Sequence, residues 1–417
     1  MNNRSMLAAL KNRFRSILGF LAIVGPGIIA AAAGNDAGGI TTYSVAGAHY
    51  GYSLLWVMIV ITVVLIIVQE MCARMGVVSG KGLADLIREV YGARIAFYIL
   101  SGLFLANIAT VMAEFAGVAG AFEIFDIPRF VSVPLSAVAI WLVITKTNYR
   151  VAEKIFLVGA FLFISYIISG ILAHPQWTSV LHGSLVPTLS FDHDYIFLVI
   201  GLIGTTVAPW MQFYLQASAV EKRIKVEQYS YTKWDVIIGS IMSDTVSAFI
   251  IIAAAATLFV NGVKIDTAAD AALALGPLAG NAAEYLFAIG LLNASLLGAM
   301  IVPLATAYYV CEGLGFESGL DKTFKEAPVY YGIFTFLILS GAIPLLFPSV
   351  PLVKIMLVAQ VINGVLLAPV LIFIIKLVNK KWLMGKYVNK PWYNVVAWIS
   401  VIILIILSAL LVGDIIF

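Results

Sequence analysis

Charge is scarce in this chain. Only 11% of its 417 residues are Asp, Glu, Lys or Arg, against 62% hydrophobic, and a mean hydropathy of +1.02 excludes a soluble globular domain. Cysteine is nearly missing: Cys72 and Cys311 fall near or within apolar runs and support neither a disulfide framework nor a thiolate metal cluster. Histidine is almost as sparse, and His49, His174, His182 and His193 are all expected at the outer ends of spans or in outer loops, as solvated groups. No nucleophile and base, phosphate loop or His/Cys cluster is placed for catalysis, so the sequence gives enzyme activity no support and implies no cofactor. The short alternating segments of a membrane barrel are lacking too, since runs such as Leu54 to Val68 are continuously apolar. These absences leave an all-α polytopic membrane protein.

Stretches long enough to cross hydrocarbon as helix, roughly 20 residues each, centre on Ile28, Val63, Leu105, Val138, Phe163, Gly201, Ile251, Leu297, Leu337, Leu366 and Ile403. Eleven transmembrane helices are therefore expected. Charge placement tests that count, because Lys and Arg gather in cytoplasmic loops. With the N-terminus inside, all 25 lysines and arginines fall on the cytoplasmic side except Arg129, Lys264 and Lys354. The C-terminus is then extracellular, and the net charge of +3 reflects topology rather than a nucleic-acid partner. Met1 to Arg15 has no small-residue cleavage site before the first apolar run and reads as an inside anchor, not a cleaved signal. The expected setting is a bacterial plasma membrane, with the lipid bilayer as partner.

Asp36 stands out against this background. It lies in Gly34-Asn35-Asp36-Ala37-Gly38-Gly39, inside an apolar run from Ile17 to Ala48, and an acid at bilayer depth costs about 3 kcal/mol or more unless paired or hydrated. The glycines let the helix unwind and free carbonyls beside the carboxylate, as happens only where the backbone is buried in protein or lines a wet cavity. A second interruption, Gly204-Thr205-Thr206-Val207-Ala208-Pro209-Trp210, falls in the sixth span. Five spans separate the breaks, and an odd number per repeat inverts the second copy. Discontinuous helices at matching positions of two halves point to a transporter's midplane site. The expected organisation is one transmembrane transporter domain over residues 1–417. Within it, inverted repeats run from about 17 to 173 and 196 to 376, with an extra helix from about 391 to 413, an arrangement similar to the LeuT-like 5+5 fold with helices 1 and 6 broken.

At these motifs the chain resembles the Nramp family of divalent-metal transporters along nearly its whole length. The family's first span carries Gly-Pro-Gly and then Asp-Pro-Gly-Asn; here Gly25-Pro26-Gly27 precedes Asp36-Ala37-Gly38-Gly39. Its sixth span carries Met-Pro-His, where this chain has Ala208, Pro209 and Trp210. Tyr50-Gly51-Tyr52 to Trp56, Ala113-Glu114-Phe115-Ala116-Gly117, and Gln360-Val361 with Pro369 match as well.

The departures are informative. Thioether sulfur favours softer transition metals, whereas carboxylate, carbonyl and water suit magnesium and calcium. Ala208 removes the sulfur, and Ala208 and Gly39 both take volume from the site. Magnesium sheds its waters reluctantly and is held by one or two carboxylates with several waters kept, so a harder, roomier site is similar to the Nramp-related magnesium transporters. Magnesium is thus expected as the transported ion, with manganese a second substrate. The family's proton route uses the site Asp, the sixth-span His and an Asp and a Glu in span three. Here the His is Trp210, the Asp is Val111 and Glu114 is kept, while Asp321 and Lys322 align with a pair of arginines before span nine. A broken relay implies uncoupled uptake.

The expected metal site comprises Asp36 and Ala33, Gly39, Thr205, Thr206, Ala208, Gln360 and Asp244. Half-helices ending at Ala33 and Thr205 aim their negative dipole ends at a cation. Thr205 and Thr206 either lend hydroxyl oxygens or bond their own upstream carbonyls. Gln360 matches a family residue that closes on the ion; the alternative is an interhelical hydrogen bond. Asp244 is a second ligand or an acid held by a neighbouring Ser or Thr. Without its family partners Glu114 reads as a packing residue, Asn293 and Asn363 as interhelical contacts, and Glu70 and Glu312 as solvated charge near inner span ends. Rival readings are a proton-coupled manganese or iron transporter, a sodium-coupled amino-acid transporter, whose substrate carboxylate Asp36 would repel, and a non-transporting receptor. The resemblance implies a monomer.

Overall fold

The computed structural model describes residues 25–146, 149–273 and 283–416, and among them it contains helices, turns and loops but no strand. The N-terminal anchor, Met1 to Arg15, lies outside the described residues.

The first span is broken where the sequence is glycine-rich. Helix α1 (Pro26–Ala32) passes into a 3₁₀ turn at Ala33–Asn35, and Asp36 is extended (ψ −178°) before α2 (Ala37–Tyr50) begins. Pro26 sits at the start of α1, where its missing N–H costs nothing. The second and third spans are α3 (Leu55–Ser79) and α5 (Ala93–Glu123), with the short amphipathic α4 (Leu83–Tyr91) between them. Gly80 closes α3 in the left-handed conformation (φ 65°), its N–H returning to the Gly76 carbonyl, a geometry that glycine adopts without penalty. The fourth span is α6 (Arg129–Lys146), and the fifth is divided at Phe163 into α7 (Tyr149–Leu162) and α8 (Ile164–Leu172). The short helix α9 (Trp177–Leu185) follows.

The sixth span repeats the break. Helix α10 (His193–Thr206) stops before Val207 and Ala208, and α11 (Pro209–Glu221) restarts with proline in its first turn. After it come α12 (Tyr229–Ala254), the short α13 (Ala268–Ala272), α14 (Ala283–Leu314), α15 (Pro328–Ala342), α16 (Leu352–Val378), α17 (Lys381–Met384) and α18 (Pro391–Ile416). Nine helical segments among the described residues are long and apolar enough to cross a membrane. Adding the broken first span and the divided fifth accounts for the eleven expected.

The two broken spans lie at the centre. Helix α1 packs on α12, α2 on α12 and α16, and α10 on α16, while α5 and α14 share the most extensive helix contact. The spans α6 and α18 are much less buried than α10–α11, as befits a rim facing lipid. Cys72 and Cys311 are free and buried. Asn293 and Asn363 do bridge helices, to the Gly159 carbonyl at 3.1 Å and to Thr110 Oγ1 at 3.0 Å. Glu70 corrects its expectation: it is 2% exposed and paired with Arg74 at 3.1 Å. Four residues apart on one helix, the two long side chains fold into the bundle together.

Candidate cation site at the two helix breaks

Asp36 is buried at 3% exposure and caps α2. Its Oδ1 accepts the Gly39 N–H at 2.6 Å, so the carboxylate meets the positive end of the helix that follows. From α16, Gln360 Nε2 donates to both carboxylate oxygens, at 3.2 and 3.3 Å. The amide reaches this far because Gly38 leaves room, since a Cβ there would stand 2.0 Å from Gln360 Nε2. Gln360 Oε1 in turn accepts from Asn363 at 3.3 Å.

The two breaks are joined directly. Thr205 Oγ1 donates to the Gly34 carbonyl at 3.1 Å, and Tyr43 OH lies 3.4 Å from the same oxygen. Thr206 Oγ1 donates to its own Leu202 carbonyl at 2.8 Å and stands 2.8 Å from Tyr43 OH. Both threonine protons are therefore committed to carbonyls, leaving oxygen lone pairs free. Ala33 and Thr205 fall within one residue of the two half-helix ends. Ala208 caps α11 with extended backbone, and its carbonyl accepts from Met211 N at 3.2 Å. Met211 brings its terminal methyl towards Gly34, 3.5 Å from where a Cβ would stand.

Gly39 departs from expectation in one respect. A Cβ there would stand 2.3 Å from the Gly34 carbonyl and 2.7 Å from Thr205 Oγ1, so backbone has closed into the volume that the missing side chain leaves. Its nearest polar group to Asp36 is a donor, which positions the carboxylate. Asp244 is buried at 4% on α12, and no hydrogen bond joins it to the Asp36 shell. The neighbouring Ser243 and Thr245 donate instead to the Ala31 and Ile241 carbonyls.

Glu114 belongs to the site. Fully buried on α5, it accepts the Ala37 N–H through Oε2 at 3.3 Å and neighbours the Asp36 carboxyl, while its Oε1 has no partner. A proline at position 37 has no N–H to give, so this contact depends on the departure from the family motif. Reading Glu114 alone, without its neighbour's N–H, hid this.

Helix α12 supplies the scaffold. Asp235 accepts from Gly25 N at 3.1 Å and Gly27 N at 2.7 Å, capping α1. Asn35 donates to Ser243 Oγ at 2.9 Å and accepts from Ser247 Oγ at 2.8 Å. The signal for these residues is the four-residue spacing of Asp235, Gly239, Ser243 and Ser247, which puts them on one face of the helix. Val111 and Trp210 are fully buried, Val111 against the close approach of Gly341.

Comparisons agree with this architecture. The model of the family described as natural resistance-associated macrophage protein-like, Nramp, matches residues 27–414. A divalent metal cation transporter MntH of Bacillus subtilis is 26% identical over 429 residues, covering 99% of this chain and 96% of that protein. Another from Yersinia pestis is 32% identical over 294 residues, covering 68% and 71%. In three dimensions the chain is similar to a manganese transporter of Eremococcus coleocola, with a TM-score of 0.77 at 23% identity over 93% of this chain and 85% of that one. It is also similar to Mhp1, a nucleobase-cation-symport-1 family transporter, with a TM-score of 0.57 at 14% identity over 94% and 93%; both likenesses concern the fold. Because the family model spans both helix breaks and the helices that close around them, this chain belongs to the Nramp family.

Proposed function

We propose that this chain carries divalent cations across a bacterial plasma membrane by alternating access, with magnesium the preferred ion and manganese a second substrate. The proposal includes a monomer with a cytoplasmic N-terminus, acting as one transporter domain with the repeats at 17–173 and 196–376. The observation that carries it is the set of oxygen donors that meets at the two breaks. Asp36, Glu114, the half-helix carbonyls near Ala33 and Thr205, the two threonine oxygens and Gln360 converge where the broken spans cross, and Ala208 stands where a thioether would. Two carboxylates balance a divalent charge, and hard oxygen donors suit magnesium and manganese. Turning the Gln360 amide over exchanges its donor for an oxygen, so the group that hydrogen-bonds Asp36 can also ligate the ion.

We further propose that uptake is uncoupled from protons. Trp210 and Val111 cannot exchange a proton, and the chain from Gln360 through Asn363 to Thr110 is made of neutral groups. The membrane potential then drives entry, worth roughly 2.3 kcal/mol per charge per 100 mV. One observation favours the rival, proton-coupled manganese transport: the Asp36 and Glu114 carboxyls are buried neighbours, a proton on one of them relieves the repulsion of like charges, and a divalent ion held by both displaces it.

Magnesium uptake into proteoliposomes, with luminal pH recorded in the same vesicles, decides between them. Uptake abolished by Asp36→Ala and leaving pH unchanged is the expected result. Acidification in step with ion entry overturns the uncoupled reading, and manganese entry without magnesium entry or competition overturns the substrate. Ala208→Met is expected to shift competition towards manganese and cadmium, at magnesium's expense.

A further inference from the structure

A second buried carboxylate lies apart from the Asp36 shell. Asp244 is 4% exposed, and neither of its oxygens has a hydrogen-bond donor. Its polar neighbour across the helix interface is Thr62 of α3, whose single hydroxyl proton already goes to the Met58 carbonyl at 2.7 Å. Oxygen therefore faces oxygen. The other hydroxyls in the neighbourhood are likewise committed: Ser243 to Ala31 O at 2.6 Å, Thr245 to Ile241 O at 2.7 Å, Ser247 to Asn35 Oδ1 at 2.8 Å, and Tyr43, which lies near enough to feel the Asp244 charge, to Thr206 Oγ1 at 2.8 Å.

The same interface holds further unmatched polar groups. Ser240, one turn before Asp244 on α12, has an unpartnered Oγ, and Gln69, two turns beyond Thr62 on α3, has both amide atoms unpartnered; each side chain is fully buried. Spacings of four and seven residues keep each pair on one helix face, and α3 packs along α12. Buried polar atoms are normally satisfied, so a row of them on facing surfaces, centred on a carboxylate, points to a bound cation.

Charge selects its kind. Among the described residues no group of three His, Cys, Asp or Glu is placed to hold a metal, and Asp244 is the one acid of this row. A single carboxylate with hydroxyl and amide oxygens balances one positive charge, whereas a divalent ion would keep an uncompensated charge in a low-dielectric interior. We propose that Asp244 and Thr62, with Ser240 and Gln69 on the same seam, form a sodium site between α3 and α12, distinct from the divalent site at Asp36.

The test is thermal unfolding of the full chain in lipid nanodiscs, without divalent ions, as sodium chloride replaces N-methyl-glucamine chloride at constant ionic strength. A saturable rise in midpoint is expected for the wild type and for Asp36→Asn. It is expected to vanish in Asp244→Asn and to need about tenfold more sodium in Thr62→Val, the loss of one ligand being worth about 1.4 kcal/mol. Equilibrium binding of radioactive sodium to the wild type supplies a readout that needs no variant to fold. Identical curves in the two salts, with no bound sodium, overturn the proposal, and an infrared carbonyl band lost in Asp244→Asn would then assign the charge to a proton. Sodium stabilisation lost in Asp36→Asn but kept in Asp244→Asn also overturns it, placing sodium at the divalent site. Neither result bears on magnesium uptake, which is read through Asp36.

Discussion

Position 37 shows how one substitution reorganises a site. Where the family motif has proline, Ala37 supplies an N–H to the buried Glu114 carboxylate, and Glu114 in turn contacts Asp36. Proline fits the first turn of a helix, so Ala37→Pro is expected to cost little in backbone strain and about 1–3 kcal/mol through the unpaired carboxylate oxygen. Combining it with Glu114→Gln in a double-mutant cycle of unfolding midpoints separates the two effects, and a coupling of zero would show that the contact carries no energy. Gly39→Asn, which restores another family residue, is expected to lower the midpoint more. Its Cβ collides with the Gly34 carbonyl, and backbone cannot move aside as a side chain can. If Gly39→Asn unfolds at the wild-type temperature, the break is looser than this geometry requires.

The helix breaks were legible because glycine and proline interrupt apolar runs at Gly34 to Gly39 and at Pro209, and such interruptions leave few other structures open. What holds them was not. Asp235 caps α1 across 208 residues by accepting from Gly27 N, a pairing that only packing defines. The crossing is close: a Cβ on Gly27 would stand 2.7 Å from Val236 N. Asn35 likewise sat in view beside Asp36, but its anchoring to Ser243 and Ser247 depends on which face α12 turns inward. The four-residue spacing on α12 marks a polar face, but nothing local says what it meets. Asp235→Ala leaves two N–H groups at the start of α1 without their acceptor and is expected to destabilise by about 1–3 kcal/mol. Faster amide exchange confined to α1 would locate the effect, and exchange unchanged there would contradict the capping role.

For the molecule as a whole, composition and hydrophobic length fixed the number of spans, because burial in lipid tolerates few alternatives. They could not show how the eleventh helix is fastened. Arg74 looked like a cytoplasmic positive charge; in the fold it is 6% exposed and joins three elements. It donates to Glu70 on its own helix at 3.1 Å, to Asn389 Oδ1, and to the Tyr387 carbonyl at 2.6 Å, and it lies over the Tyr393 ring at 5.6 Å. Tyr229, at the start of α12, donates to the other Glu70 oxygen. The start of α18 and the loop before it are thereby tied to α3 and α12 at one end of the bundle. Removing one member of a buried pair strands the other charge, so Arg74→Met is expected to cost about 3–5 kcal/mol. Removing both charges with Glu70→Gln and Arg74→Met is expected to cost clearly less, because no buried charge is then left alone. Arg74→Lys should not rescue, since a single ammonium cannot span the forked set of acceptors. Unfolding midpoints of the four proteins in nanodiscs check this, and a double variant less stable than Arg74→Met would show that the hydrogen bonds, rather than the stranded charge, hold α18 in place.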